Sequence, residues 1–139
     1  MFLDELISVF VNAGVGTFPG NIFASSKAQL PNTDGPFLTL SETSGSGPEG
    51  THNSTQLPAY VRPNAQIVAR AKSYPVARNM AEAAFAAVYP VRNQLVAGVW
   101  WRQVVCLQNP FDLGSDDVGR VQVVFNIQVT RRPNAAMSQ

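Results

Sequence analysis

Charged residues are scarce in this chain. They make up 14% of its 139 residues, against about 25% in a typical soluble domain. The formal net charge is only +1, which gives no electrostatic reason to expect a nucleic acid or an acidic membrane as ligand. A surface with so few charges must be largely neutral or apolar, which is typical of proteins that neighbouring subunits cover.

Cysteine and histidine are equally rare, with one of each. Cys106 lies in an apolar segment, so we expect a small buried side chain and no intrachain disulfide. His52 has no second ligand at metal spacing, so we expect neither a catalytic histidine nor a metal site. No apolar run approaches the roughly 20 residues of a membrane span. The first residues, MFLDELISVF, lack the basic start of a secretory signal, so a cytosolic product is expected.

The acidic residues match no catalytic or calcium-binding motif. One polar loop lacks the ligand spacing and the closing glutamate of a calcium loop, so turn formation is the favoured role of Asp112, Gly114, Asp116, Asp117 and Gly119. Arg120 follows, and we expect it to pair with one of these acids. Glu82 lies on an alanine-rich helix, as in hotdog-type thioesterases, but its spacing predicts a solvated position. We therefore expect no catalytic residue, no metal and no cofactor.

Two helices are predicted. The first covers Phe2–Ala13, and Gly14 and Gly16 end it; its apolar stripe is Leu3, Leu6, Ile7 and Phe10. The second has Ser73 as its N-cap and Pro75 in its first turn, and it runs to about Tyr89, where Pro90 stops it. Its expected apolar stripe is Val76, Met80, Ala83, Ala84 and Ala87.

Alternation of apolar and polar side chains predicts the strands. The clearest case is Val121–Thr130, where valine, phenylalanine and isoleucine occupy every second position. Val99–Leu107 is rich in β-branched and aromatic residues and supplies its partner in a long C-terminal hairpin, joined through a polar loop over Asn109–Gly119. Shorter strand candidates are Asn21–Ser25, Phe37–Glu42 and Ala65–Lys72.

The order of these elements predicts one α+β domain over residues 1–139, with a mainly antiparallel sheet packed against two helices. A mixed sheet stays open, because Ala65–Lys72 and Val99–Leu107 could be parallel neighbours joined by a right-handed crossover. Thr43–Pro58 (TSGSGPEGTHNSTQLP) is predicted to be an extended loop, which contact with another subunit could tether. Pro133–Gln139 is predicted to be a loose tail.

Trp100 and Trp101 are adjacent, so on a strand their side chains face opposite sides of the sheet. One is expected in the core and the other on the second face, where tryptophan is a common interface anchor. Stacking on single-stranded nucleic acid is the competing use. The near-neutral charge and the lack of a basic stripe count against it.

The segment QNPFDLGSDDVGRVQVVFNIQV resembles the closing hairpin of the tail terminator or tail completion proteins of long-tailed bacteriophages, small neck proteins also described as minor capsid proteins. The matching features are Pro110-Phe111, Leu113-Gly114, Asp116, Gly119-Arg120 and a hydrophobic strand with Asn126. The upstream strand and the helices fall in the expected order. The length of the Thr43–Pro58 loop departs from the family.

The resemblance implies a structural virion protein and no enzyme. Such a subunit forms a ring, usually hexameric, on the head-proximal end of the tail tube, where it stops tube polymerisation and joins the tail to neck and head proteins. DNA would pass through the ring without sequence-specific binding, and the absence of a basic cluster fits this. We expect the assembly contacts at Trp100, Trp101, Phe111, Asp116, Asp117 and Arg120.

Two other functions stay open. A head-side connector or stopper protein would use the same architecture in an adjacent ring. A small ligand-binding or thioesterase-like α+β enzyme is the alternative from a different class, but no acid, base or nucleophile supports it.

Overall fold

The computed structural model describes residues 2–18, 20–24, 35–49, 60–116 and 119–132, with side chains at all of these except 44–49 and 60. Within these ranges lie two helices and seven strands: α1 (Phe2–Asn12), β1 (Ile22–Ala24), β2 (Phe37–Glu49), β3 (Tyr60–Ala71), α2 (Tyr74–Val88), β4 (Arg92–Val96), β5 (Val99–Cys106), β6 (Phe111–Ser115) and β7 (Val121–Arg132). The strands form one sheet in the order β1-β2-β3-β7-β5-β4, with β6 also paired to β7. Among the described strands, only β1 and β2 pair in parallel. The α+β class with two helices and a mainly antiparallel sheet is therefore confirmed.

β7 is the strand on which the others are organised. β3 runs along one edge of it for almost its whole length. Because β3 fills that edge, β6 and β5 share the other, β6 beside Val121–Val124 and β5 beside Ile127–Arg132. Asn126 lies between these two stretches, and both of its backbone polar groups are hydrogen-bonded. Its carbonyl accepts from Leu107 N at 2.9 Å, and its N–H donates to the side-chain Oε1 of Gln108 at 2.9 Å. The alternate apolar residues of β7 face the helices, as its period-two pattern predicts.

Three of the expected loops and pairings differ in the structure. Residues 43–49, predicted as part of a loop, continue β2 and pair with β3, while 50–58 lie outside the described residues, as do 133–139. The polar loop over Asn109–Gly119 contains the short strand β6. β3 and β5 are not parallel neighbours, because β7 lies between them and is antiparallel to both.

The hairpin of β4 and β5 has no counterpart in the predicted elements. Its two turn residues, Ala97 and Gly98, have φ angles of 49° and 83°, as a two-residue type I′ turn requires at both positions. Asparagine or aspartate usually occupies the first of these positions, because they tolerate the left-handed region better than alanine does. An Ala-Gly turn therefore gives little sequence signal.

Both helices pack on one face of the sheet. The predicted stripe of α1 is confirmed, since its four apolar residues are all buried. Gly14 ends α1 with a φ of +76°, and the bond from Val15 N to Phe10 O completes a Schellman-type cap. α2 is turned relative to its predicted stripe: Val76 is 43% exposed, and the buried residues are Ala77, Met80, Ala81, Ala84 and Val88. Its alanines let the helix lie close against β3 and β7.

A buried ion pair joins α1 to the end of β7. Glu5 is 1% exposed, and its carboxylate accepts from Arg131 at 2.9 Å (Nε to Oε1) and 2.5 Å (Nη2 to Oε2). The indole Nε1 of Trp101 donates to the same Oε1 at 2.7 Å. A bidentate arginine pair and a third donor satisfy a carboxylate that would otherwise be costly to bury. The cluster fixes α1 over the start of β5 and the end of β7.

Replacing Glu5 with glutamine should lower the free energy of unfolding by about 3 kcal/mol, because Arg131 would be left mostly buried without its anion. The double change Glu5→Leu with Arg131→Met should recover part of this loss, since apolar residues can replace a buried pair. Urea unfolding at one fixed protein concentration measures both. Asp4→Asn, a change at the neighbouring exposed acid, is the control and should stay within about 0.5 kcal/mol of wild type. A Glu5→Gln protein as stable as that control would contradict the assignment.

Candidate assembly surface

The two adjacent tryptophans have different surroundings. Trp101 is fully buried on the helix-covered face, where it bonds Glu5. It has no exposed surface for a subunit contact, so its expected place in the assembly interface is wrong. Trp100 points to the opposite face, which neither helix covers, and it is half-buried there. We call this the open face of the sheet.

Asp116 and Arg120 hold the turn between β6 and β7 against the open face. Arg120 Nε lies 2.8 Å from Asp116 Oδ2, and Arg120 N donates to Asp116 Oδ1 at 2.9 Å. The backbone adds a bond from Asp116 N to Arg120 O at 2.8 Å. The guanidinium of Arg120 also lies over the ring of Phe37, 5.4 Å from its centroid. The expected pairing of Arg120 with an acid of this loop is confirmed.

Arg70 of β3 extends this cluster across the sheet. Its guanidinium donates to Thr39 Oγ1 at 2.7 Å and to Gln122 Oε1 at 3.2 Å, and its Nε lies 3.7 Å from Asp116 Oδ2. Burial lowers the pKa of Arg70; Asp116 opposes this shift and the nearby Arg120 adds to it. The arginine stays charged, because its ordinary pKa is so high. Three strands and the turn are thus joined on the open face.

These contacts give Asp116 and Arg120, two candidate interface residues, a role within the fold. The side chains of Asp116 and Arg120 are only 14% and 8% exposed, so their main contacts lie within the chain. They shape the turn that leads from β6 into β7. Asp117 lies outside the described residues. Sequence spacing indicated the Asp116–Arg120 pair, but it gave no sign of Arg70, which lies far away along the chain.

Asp116→Ala should lower the free energy of unfolding by about 1–3 kcal/mol, because charge-assisted bonds to Arg120 and the contact with Arg70 are lost. Amide exchange at Arg120 should become faster, since its N–H loses an acceptor. Asp112→Ala is the matched control, because that exposed carboxylate bonds only the nearby Gly114 N, at 2.8 Å, among its described contacts. Equal effects of the two substitutions in urea unfolding and exchange would show that Asp116 has no special role.

Phe111 begins an exposed edge strand. β6 pairs only with β7 among the described strands, so its outer edge presents backbone groups that another chain can pair with. The residue just before β6 is tied to α2, because Arg78 Nη1 donates to Pro110 O at 2.8 Å. Phe111 is 40% exposed and Leu113 is 52% exposed. Phe111 is therefore accessible at this edge, and its role in assembly stays a prediction.

Apolar side chains continue from this edge along the same side of the sheet. Leu95 on β4 is 66% exposed and lies opposite Trp100 in the β4–β5 register. Val105, near the end of β5, is 39% exposed, and Leu107, just after the strand, is 49% exposed. Scattered exposed apolar residues are ordinary, whereas a row of them along one side of a sheet indicates a binding surface. This row joins two of the predicted interface residues, Trp100 and Phe111.

The described residues contain no group of three or more histidine, cysteine, aspartate or glutamate side chains that could hold a metal. Glu82 is exposed and pairs with Arg78 at 3.1 Å along α2, as its predicted solvated position requires. His52 lies outside the described residues. Neither α1 nor α2 has the length and apolarity of a helix that crosses a bilayer.

Cys106 is half-buried in β5, and burial raises the pKa of its thiol. Because the thiolate is the reactive form, a raised pKa leaves little of it near pH 8. We expect iodoacetamide to label the folded protein more slowly than the urea-unfolded protein at this pH, with the rate rising only at higher pH. Cys106→Ser provides the unlabelled baseline. Equal rates for the folded and unfolded forms would contradict the burial argument.

Neither a protein-family model nor a curated protein matches this chain. The resemblance to tail terminator proteins therefore stays a prediction.

Proposed function

We propose that this protein is a structural subunit of a bacteriophage virion. In this proposal it forms a ring at the head-proximal end of the tail tube, ends tube polymerisation and joins the tail to the neck and head. The observation that carries the proposal is the exposed apolar row of β4, β5 and β6, which ends in an edge strand without an outer partner among the described residues. Such a surface is poorly suited to an isolated subunit in water and well suited to a repeated contact.

A ring needs two different complementary surfaces on each subunit, because every copy binds its two neighbours through opposite sides of one heterologous contact. The sheet supplies a rigid support for both. The Glu5 cluster fixes one end of β7 and the Asp116 cluster fixes the other, so the surface residues on β5 and β6 are held in constant relative positions. Binding to preorganised surfaces loses less conformational entropy.

A head-side connector or stopper ring is the neighbouring possibility. It would use the same subunit contacts and differ only in what the two faces of the ring bind. Association with purified tail tubes favours the tail terminator role, whereas association with portal-containing heads and no binding to tubes favours the connector role.

Mass photometry and electron microscopy of the purified protein, alone and with tail tubes, should show closed rings of uniform size. Phe111→Ala with Trp100→Ala should raise the concentration needed for half-assembly by tenfold or more, because aromatic anchors contribute strongly to interfaces. Val76→Ala removes an equally exposed apolar side chain from α2 and should assemble like wild type. A monomer under all conditions, absent from purified virions, would be incompatible with the proposed function.

A further inference from the structure

The charges on the strands that carry the exposed apolar row are separated by sign. β4, β5 and β7 contain arginines and no acidic residue, whereas β6 contains Asp112 and no basic residue. Their sequence positions do not reveal this grouping, because residues 92, 102 and 132 come onto neighbouring strands only through the pairing of β4 and β7 with β5. The sequence predicted no basic cluster, and in the fold three exposed arginines lie on the β4–β5 hairpin and the adjoining end of β7.

The basic group surrounds Trp100. Arg132 lies directly opposite Trp100 in the β5–β7 register, and Leu95 lies opposite it in the β4–β5 register. Opposed residues of antiparallel strands share a face, so all three lie on the open face. Arg92 and Arg102 are exposed on the same hairpin. We define the basic corner as Arg92, Leu95, Trp100, Arg102 and Arg132.

The acidic group lies at the other end of β7. Phe111, Asp112 and Leu113 are all exposed on β6, and we define them as the acidic edge. Phe111 is opposite Val124, and eight residues of extended strand separate Val124 from Arg132, or roughly 25 Å. A subunit therefore cannot bring its own acidic edge to its own basic corner. A second copy can.

We propose that the basic corner of one copy binds the acidic edge of a neighbouring copy. This inference rests on the proposed function and names the contact that would close the ring. The two patches have opposite charge, and each carries one leucine that is more than half exposed, Leu95 at 66% and Leu113 at 52%. Their central aromatics, Trp100 and Phe111, are the candidates from the sequence that stay accessible.

The composition of the corner favours a protein partner over a nucleic acid. Its cations are all arginines, and arginine and tryptophan are enriched at protein interfaces while lysine is depleted. An exposed leucine adds nothing to phosphate binding, but it adds apolar burial against Leu113. The opposite charges orient the encounter and disfavour corner-to-corner pairing, where arginines would face arginines.

A charge swap tests the contact on the full chain. Arg92→Glu alone and Asp112→Arg alone should each raise the half-assembly concentration by tenfold or more, and the double variant should restore most of the loss. Asp112→Asn keeps an acceptor for Gly114 N and should give a smaller effect than the reversal. Glu42→Arg, at an exposed acid of β2 away from both patches, should assemble like wild type. Circular dichroism and urea unfolding must first show that each variant is folded.

Each outcome decides one claim. Closed rings that ignore the single reversals, or a folded double variant that does not regain assembly, overturn this contact and leave the proposed function in place. Particles of two copies that respond to the swap support the contact and overturn the ring. Binding of a short DNA duplex that is lost in Arg92→Glu and Arg132→Glu, together with assembly that ignores both, assigns the corner to a polyanion and overturns the inference.

Discussion

The pairing of β7 with three other strands is the interaction on which the structure depends. β3 occupies one edge of β7, and β6 and β5 occupy the other edge in succession. Two charged clusters hold this strand at opposite ends and on opposite faces. Asp116, Arg120 and Arg70 lie at its start on the open face, and Glu5 and Arg131 lie at its end on the helix-covered face.

The clusters also bear on register. A slip of one residue would move every side chain of β7 to the other face. The doublets Trp100-Trp101 and Arg131-Arg132 do not prevent this, because each offers a similar residue on either face. The alternating apolar residues do prevent it, since Phe125 and Ile127 are fully buried against the helices. Glu5 then bonds Trp101 and Arg131, the residue of each doublet that lies on the helix-covered face. Trp100 and Arg132 lie on the open face.

Local sequence patterns predicted much of this fold. The features that were not predicted depend on contacts between residues far apart along the chain, or lie in short elements with weak patterns. The α1 stripe and the alternation of β7 are strong signals, because one period of apolar residues continues over a whole element. β4 and β6 escaped prediction because each is only five residues long, the first with an Ala-Gly turn and the second within a run of turn-forming residues. Glu5 lies in the first turn of α1, where the helix dipole alone would favour an acid. Its burial depends on Arg131, 126 residues away along the chain, and no local pattern reports such a partner.

The positions of the few charged residues in the fold matter more than their number. With nine acids and ten bases in the chain, a near-zero net charge describes the sum and hides the distribution. Glu5 and Asp116 compensate arginines inside the fold. The exposed charges on the strands that carry the apolar row are therefore the arginines of the β4–β5 hairpin, Arg132 and Asp112. Charges of opposite sign that lie roughly 25 Å apart on one subunit are too distant to stabilise it strongly in salt solution. In the proposed contact between two copies the patches would approach directly, and apolar side chains would exclude water around them. The low net charge of the whole chain argues against a polyanion ligand. The separation of the few exposed charges by sign favours the proposed contact between two copies.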